Sequence, residues 1–366
     1  MKVVIAAAGT GGHINPGIAI ANKITSEQPD SEIIFIGTDR GLENDLVPKA
    51  GYGIKHIGAY GVYRKPTIEN LKRLIKTIHS ISEAKKILKE FKPDLVIGTG
   101  GYITLSVCRA AQKLKIPYII HESNVLPGIA TKLMSKKAKY VMLGFKEAKY
   151  KLSPKVNTVV TGTPTNTKCL NLTEEQKDDK IKELGLNSKL PIILVFGGSQ
   201  GAKSINTAVE DLVIKENNYQ IIWAPGKKNF EEIKEYLAEK GKDIENIKNS
   251  KILPYIYNME EIMNISDLVV SRSGAMTIIE IENVGKPAIL VPFPFAAENH
   301  QEYNARAIEK ANAAKVILDK DLNTDILDKT INELIKDKNK LKQMSENSRK
   351  LAIENVEEKI YETIMK

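Results

Sequence analysis

The sequence predicts an α/β protein with two doubly wound, Rossmann-like domains that face a cleft. Short apolar runs alternate with segments of helical spacing along the whole chain, and such continuous runs are typical of parallel strands covered on both faces. Each half has glycine-rich turns directly after strands. The 366 residues also exceed the usual length of one domain. Because ligands of open α/β sheets bind at the carboxyl edge, we expect the site in the cleft between the two domains.

The apolar runs place strands in both halves of the chain. They are KVVIAAA, EIIFIG, DLVIG, PYIIH, YVML and NTVVT in the first half, and PIILVFG, YQIIWA, DLVVS, PAILVP and AKVIL in the second. The polar segment TGTPTNTKCLNLTEEQ lies between the halves and predicts the linker. We therefore expect an N-terminal domain over residues 1–163 and a C-terminal domain over residues 164–344. A final helix at about 345–366 is expected to pack back on the N-terminal domain.

Charge and composition narrow the class of partner. The chain has 54 basic and 45 acidic residues, a net charge of +9, which favours an anionic partner. The basic residues are scattered and have few aromatic neighbours, so we expect no nucleic acid partner. Cys108 and Cys169 are too few for a disulfide framework and lack metal-ligand spacing. The opening residues do not resemble a secretory signal, and no apolar run reaches the roughly 20 residues of a membrane span.

The stretch AAAGTGGHINPGIAIA follows the first strand and predicts a phosphate-binding loop. Gly9 and Gly11 fit the dinucleotide fingerprint, but Ile14 stands at the position of its third glycine. The backbone amides of Gly11 and Gly12, at a helix N-terminus, suit a phosphate because no side chain blocks it. A tight turn without a ligand would explain one such loop. The pattern recurs as GTGGY, GGSQGA and SRSGAM, which favours a ligand.

Polar side chains at the ends of two strands are candidates for the chemistry. His13 comes directly after the glycines, where an imidazole could act as a general base, although a lone histidine is more often structural. His121, Glu122 and Asn124 end another strand and are expected at the same sheet edge.

The segment SRSGAMTIIE in the second half has the pattern of a diphosphate site. Ser273, Gly274 and Ala275 are small residues at the start of a helix, which suits the close approach of a diphosphate. Glu280, about two turns further on, could accept both hydroxyls of a ribose or could be an ordinary solvated glutamate. The pair Asp319 and Asp321 is typical of a helix start, so we predict no metal site.

Several motifs together closely resemble the MurG family, the peripheral membrane glycosyltransferases of bacterial cell-wall synthesis. They are GTGGHINPGIAIA, GTGGY, HESNVLPG, VFGGSQGAKSIN, SRSGAMTIIE and GKPAILVPFPFAAENHQEYNA, in order from residue 3 to about residue 317. The resemblance implies the GT-B glycosyltransferase fold and no metal or other cofactor. It also implies inverting transfer of N-acetylglucosamine from UDP-N-acetylglucosamine to the muramyl C4 hydroxyl of undecaprenyl-diphospho-muramoyl-pentapeptide. This reaction makes lipid II from lipid I at the cytoplasmic face of the cell membrane.

The resemblance also implies roles for individual residues. The implied donor contacts are Thr10, Gly11, Gly12, Asn124, Ser199, Ile256, Glu280 and Gln301. Ile256 would offer its backbone to the uracil, and Glu280 would bind the ribose. His13, Tyr102 and Glu122 would face the acceptor, with His13 as the base and Glu122 as the second catalytic candidate.

Two positions depart from the family pattern. Ser123 stands where many relatives carry glutamine, and Asn166 stands where many carry arginine. The loss of a guanidinium at Asn166 removes one charged donor contact.

The segment YRKPTIENLKRLIKTIHS predicts a helix at an anionic membrane surface. Apolar residues at helical spacing are interleaved with basic ones, as in interfacial helices. The apolar residues are Ile68, Leu71, Leu74, Ile75 and Ile78, and the basic ones are Arg64, Lys65, Lys72, Arg73 and Lys76. The basic residues lie around Ile68, Leu71 and Ile75, whereas Leu74, Ile78 and Ile81 are expected to face the core. Alternatively, the stripe faces the protein's own core.

Other functions remain open at this point. A UDP-N-acetylglucosamine 2-epimerase would share the fold and the nucleotide site but would need further carboxylates near the sugar. A nicotinamide oxidoreductase could use Asp39 for the ribose, but Ile14 disfavours it. A lipid glycosyltransferase with another acceptor is the nearest alternative.

Overall fold

The computed structural model describes residues 1–60, 68–198 and 201–366. For residues 68–75 and 78 it describes the backbone only. The chain divides into two compact units. The first comprises Met1–Thr165 and Ile353–Lys366, and the second comprises Asn166–Ala352. The division falls within the polar segment expected as the linker, at residue 165 rather than 163.

A parallel sheet forms the centre of the first unit. Its strands are β1 (Lys2–Ala6), β2 (Glu32–Gly37), β3 (Gly53–His56), β4 (Leu95–Gly98), β5 (Tyr118–Glu122), β6 (Tyr140–Leu143) and β7 (Thr158–Val160). Their order is β3-β2-β1-β4-β5-β6-β7. The strand order reverses between β1 and β4, and this reversal is the switch point of a doubly wound sheet.

Helices cover both faces of this sheet. They are α1 (Gly11–Glu27), α2 (Glu43–Lys49), α3 (Ile68–Phe91), α4 (Gly101–Leu114), α5 (Ile129–Met134) and, from the end of the chain, α14 (Val356–Met365). Along β1, Val3 and Ile5 join an apolar cluster with α1 and α14, whereas Val4 and Ala6 join a second cluster with α3 and α4. Because successive side chains are buried on opposite faces, the strand is a continuous apolar run.

The second unit repeats this architecture around a six-stranded parallel sheet. Its strands are β8 (Ile192–Phe196), β9 (Gln220–Ala224), β10 (Ser250–Ile252), β11 (Leu268–Ser271), β12 (Ala288–Leu290) and β13 (Ala314–Val316). Its helices are α6 (Glu174–Glu183), α7 (Lys203–Ile214), α8 (Phe230–Glu239), α9 (Met259–Ile265), α10 (Ala275–Val284), α11 (His300–Lys310), α12 (Thr324–Lys336) and α13 (Lys338–Leu351). The order β10-β9-β8-β11-β12-β13 puts the switch point between β8 and β11. The predicted α/β class with two doubly wound sheets is therefore confirmed.

The last two helices correct the expectation for residues 345–366. α13 belongs to the second unit, where Met344 joins the apolar cluster and the Ser345 hydroxyl donates to the Gly285 carbonyl at 2.6 Å. α14 belongs to the first unit, where Ile360 and Ile364 pack with α1. Residues 345–352 have their partners in the second unit, so only residues 353–366 return to the first. None of the described helices is long and apolar enough to cross a membrane.

Candidate active site

Both switch points carry residues that the sequence singles out. In the first unit, β1 and β4 are neighbours, so the loops after them lie side by side at the carboxyl edge. These loops lead into α1 with His13 and into α4 with Tyr102. In the second unit, β8 and β11 are neighbours, and the loop after β11 carries Ser273. The loop after β8 contains Ser199, which lies outside the described residues.

The first glycine loop ends in the N-terminus of α1. Thr10 is exposed and extended, and its carbonyl accepts the first bonds of the helix, from the N–H of His13 at 3.0 Å and of Ile14 at 3.2 Å. Gly11 and Gly12 are the first residues of the helix and are half-buried. The N–H groups in the first turn of a helix have no acceptor within the helix. Helix N-termini therefore bind anions, and the N–H groups of Gly11 and Gly12 lie in such a turn.

The His13 ring lies against the second glycine loop. A Cβ on Gly100 would lie 2.7 Å from His13 Cε1, and one on Gly101 would lie 3.4 Å from His13 Cδ2. Gly100 also has a φ of +111°, which side-chain-bearing residues rarely adopt. On the backbone side, the Thr99 hydroxyl donates to the His13 carbonyl at 2.7 Å. Both glycine loops therefore determine where the imidazole sits.

Tyr102, the predicted acceptor contact, is the second residue of α4. It is half-buried and packs against the apolar cluster of α3 and α4.

Glu122 holds a loop together in this structure. Its carboxylate is 4% exposed and accepts hydrogen bonds from the Gly128 N–H at 2.9 Å and the Thr131 hydroxyl at 2.7 Å. The backbone N–H and the side-chain amide of half-buried Asn124 also donate to it, at 3.1 and 3.2 Å. Because both carboxylate oxygens are engaged, these contacts give a catalytic role for Glu122 no support.

His121, expected at the sheet edge, is fully buried instead. Its Nε2 lies 3.1 Å from the Gly162 carbonyl, and burial lowers the pKa of the imidazole. It is a core residue of the first unit.

In the second unit, hydrogen bonds tie the loops after β11 and β12 together. The hydroxyl of fully buried Ser273 donates to the Gln301 carbonyl at 2.8 Å. The Gln301 side-chain oxygen accepts the Phe293 N–H at 3.0 Å. Gly274 precedes α10, and Ala275 is its first residue. The structure thus brings Ser273, Gly274, Ala275 and Gln301 close together.

Glu280 and Ile256 complete the predicted donor set of the second unit. Glu280 is half-buried on α10, between one and two turns after Ala275. Ile256 is 4% exposed and lies in the segment between β10 and α9. Its buried side chain leaves the backbone as the part that could meet a base.

A partly buried ion pair at the same edge of the second sheet was not predicted from the sequence. Arg272 donates to the Asp319 carboxylate at 2.5 Å, to the Val291 carbonyl at 3.1 Å and to the Ser204 hydroxyl at 3.0 Å. Ser204 in turn donates to Asp319 at 2.5 Å. Asp319, expected as a helix start, does begin a short 3-10 helix but also anchors this network. The arginine directly after a strand was the available signal.

Within residues 1–60, 68–198 and 201–366, no group of three or more histidine, cysteine or acidic side chains could hold a metal ion.

Two domain families match the chain. The glycosyltransferase family 28 N-terminal domain matches residues 3–143, and the glycosyltransferase family 28 C-terminal domain matches residues 192–360. The chain belongs to glycosyltransferase family 28. These matches cover the glycine loops of both units, including the loops that carry His13 and Ser273, but not β7.

The family 28 chain is similar to named proteins over its full length. An Acetivibrio thermocellus protein is 42% identical over 100% of this chain and 97% of its own length. A Finegoldia magna protein is 38% identical over 96% of this chain and 94% of its own. Both are named UDP-N-acetylglucosamine--N-acetylmuramyl-(pentapeptide) pyrophosphoryl-undecaprenol N-acetylglucosamine transferase.

Two solved structures place the family 28 chain among related folds. The crystal structure of Acinetobacter baumannii MurG has a TM-score of 0.77 and 28% identity, covering 100% of this chain and 98% of that one. A UDP-GlcNAc 2-epimerase from Neisseria meningitidis, bound to UDP-GlcNAc, has a TM-score of 0.66 and 17% identity over the full length of both chains. The second likeness shows the fold alone.

Proposed function

We propose that this family 28 protein transfers N-acetylglucosamine from UDP-N-acetylglucosamine to the C4 hydroxyl of undecaprenyl-diphospho-muramoyl-pentapeptide, with inversion. The observation that carries the proposal is the similarity to the Acetivibrio thermocellus transferase, at 42% identity over 100% of this chain. The positions of His13 and of the Ser273 loop at the two switch points support it.

The second unit would hold the UDP that leaves. As the bond between the sugar C1 and the diphosphate breaks, its electron pair goes to a diphosphate oxygen, and negative charge grows there. The N-terminus of α10, preceded by Ser273 and Gly274, offers backbone N–H groups to that charge. Ile256 would meet the uracil, and Glu280 would meet the ribose.

The first unit would supply the base. His13 would take the proton of the C4 hydroxyl while that oxygen forms its bond to C1 from the opposite face of the sugar. The N–H groups of Gly11 and Gly12 would face the diphosphate, and Tyr102 would contact the acceptor.

Replacing Glu280 with alanine should weaken donor binding. Hydrogen bonds to a charged acceptor contribute about 1.5–3 kcal/mol, so the dissociation constant for UDP should rise about 10- to 150-fold. Calorimetry with UDP measures this change directly. Glu210→Ala, which removes a half-buried carboxylate from α7 of the same unit, is the matched control. Equal UDP affinities of Glu280→Ala and wild type would rule out the ribose role.

The reaction itself is tested with UDP-N-acetylglucosamine and a lipid-linked muramyl-pentapeptide analogue. UDP and the disaccharide should appear in equal amounts. Release of UDP without the disaccharide would indicate another acceptor. Formation of the C2 epimer of the donor sugar in the absence of acceptor would favour an epimerase instead.

The lipid tail of the acceptor requires contact with a membrane, and we infer that the first unit makes it at the cytoplasmic face. The structure does not describe the side chains of residues 68–75, which carry Ile68, Leu71 and Ile75 of the predicted membrane helix. Arg64 and Lys65 lie outside the described residues. A described surface supports the inference. Ile129 and Leu133, one helical turn apart on α5, are each 61% exposed. Lys132, Lys136 and Lys137 are close to them in the sequence, and residues 123–146 contain no acidic residue.

Charge at these positions should detach the protein from anionic vesicles. We expect Leu71→Glu with Ile75→Glu, and separately Ile129→Glu with Leu133→Glu, to leave UDP binding intact. Each pair should lower vesicle cosedimentation about tenfold or more, since one buried Leu or Ile contributes about 1.5–3 kcal/mol. Ile326→Glu, at an exposed apolar position of the second unit, is the control. If a double variant folds and still binds vesicles like the wild type, the membrane surface lies elsewhere. If a double variant unfolds, the substituted residues belong to the core.

A further inference from the structure

Glu43 is a fully buried carboxylate that no step of the proposed transfer uses. It is the first residue of α2 and follows the turn after β2. Since β2 is the neighbour of β1, this turn lies beside the first glycine loop. Charged groups are rarely buried unless hydrogen bonds compensate them, so the partners of Glu43 indicate what it does.

The two carboxylate oxygens of Glu43 have different partners. Oε1 accepts the Thr38 N–H at 2.9 Å and the Thr38 hydroxyl at 2.7 Å, both within its own turn. Oε2 accepts the N–H of Gly9 at 2.9 Å, from a loop 34 residues earlier in the chain. Glu43 therefore connects the turn after β2 to the glycine loop that leads to His13.

Neighbouring glycines confine this side chain. A Cβ on Gly37 would lie 2.8 Å from Glu43 Cγ, and one on Gly41 would overlap Glu43 Oε2. Burial raises the pKa of Glu43, but the hydrogen bonds from Gly9 and Thr38 together outweigh it and hold the pKa below its ordinary value. The group is therefore an ionised, acceptor-only carboxylate at neutral pH.

The loop is fixed at its other end as well. Thr99 donates to the His13 carbonyl, four residues after Gly9, and the His13 ring rests on Gly100. The Gly9 N–H and the His13 carbonyl are thus both bound by side chains from neighbouring strand ends.

We propose that Glu43 is a positioning residue for the transfer reaction, holding the glycine loop through the Gly9 N–H so that the His13 imidazole keeps its place. The role in transfer rests on the proposed function, whereas the hold on the loop does not. Glutamine cannot replace the carboxylate, because its amide nitrogen would face one of the N–H donors in place of an acceptor.

The test compares Glu43→Gln with Thr38→Val, a variant that removes one hydrogen bond to Glu43 but leaves the bond to Gly9. Hydrogen exchange of a peptide covering residues 7–14 measures the hold on the loop without any substrate. Exchange in this peptide should be about tenfold faster in Glu43→Gln and within twofold of wild type in Thr38→Val. Circular dichroism checks that both variants fold. If Glu43→Gln does not fold, Glu43→Asp, which keeps the charge but shortens the reach, replaces it.

A double-mutant cycle then separates positioning from general support of the fold. Glu43→Gln should lower the turnover number about 10- to 100-fold in the wild-type background, because a shift of about 1 Å in a reacting group can cost that much. In a His13→Ala background the same change should cost less than about threefold, because there is no imidazole left to misplace. An equal loss in both backgrounds, or unchanged loop exchange, overturns the proposal. If the wild-type protein transfers no sugar, the proposed function fails, and hydrogen exchange still decides whether Glu43 holds the loop.

Discussion

His13→Ala should lower the turnover number about 10²- to 10⁴-fold while the affinity for UDP changes by less than about threefold. The imidazole would act only as the acceptor hydroxyl loses its proton, so its removal affects the transition state rather than binding of the nucleotide. Steady-state kinetics at saturating donor and acceptor, combined with calorimetry for UDP, separates the two effects.

The matched control is His56→Ala, which removes an exposed histidine from the same unit, outside the predicted membrane helix. It should behave like the wild type in both measurements. If His13 is only a structural part of the glycine loop, His13→Ala should weaken UDP binding or lower the melting temperature, and the turnover number should stay near that of the wild type. An active His13→Ala protein would make Glu122 the candidate to test next, despite the four hydrogen bonds that occupy its carboxylate.

Arg272→Met should destabilise the second unit by about 3 kcal/mol. The substitution leaves the Asp319 carboxylate without its cation and the carbonyls of Val291 and Pro292 without a donor. Breaking a buried pair by removal of one partner costs about 3–5 kcal/mol, and the lower end applies because the Asp319 side chain keeps 24% exposure. Urea denaturation monitored at Trp223, which lies in this unit, reports the free energy of unfolding.

Arg306→Met provides the comparison for this prediction. Arg306 is 45% exposed on α11 and pairs with Glu309 at 2.6 Å, so its loss should cost less than about 1 kcal/mol. Equal losses for Arg272→Met and Arg306→Met would mean that the Arg272 network adds nothing beyond a surface pair.

The fold could be predicted from the sequence because each internal strand is a continuous apolar run. Every run quoted above contains a strand, from KVVIAAA at β1 to AKVIL at β13. The strands β3 and β10 gave no such signal. Both are edge strands with few buried side chains, so GIKH and SKI carry polar residues that resemble loop sequence.

The candidate site could be predicted only in part, for a physical reason. Glycine loops and small residues at helix starts are local patterns, so His13, Ser273 and Gly274 were accessible from the sequence. The contacts of Glu43 and Arg272 join residues 34 and 47 positions apart, and no local pattern marks such a pair. The same limit applies to α13, whose amphipathic pattern does not reveal which unit it packs against.

The return of α14 to the first unit has a consequence for synthesis on the ribosome. A nascent chain that has emerged as far as residue 352 contains the whole second unit, whereas the first still lacks Ile360 and Ile364. Until those residues leave the exit tunnel, apolar side chains of α1 remain open to water and to other chains. The part of the protein that is translated first is therefore the part that is finished last.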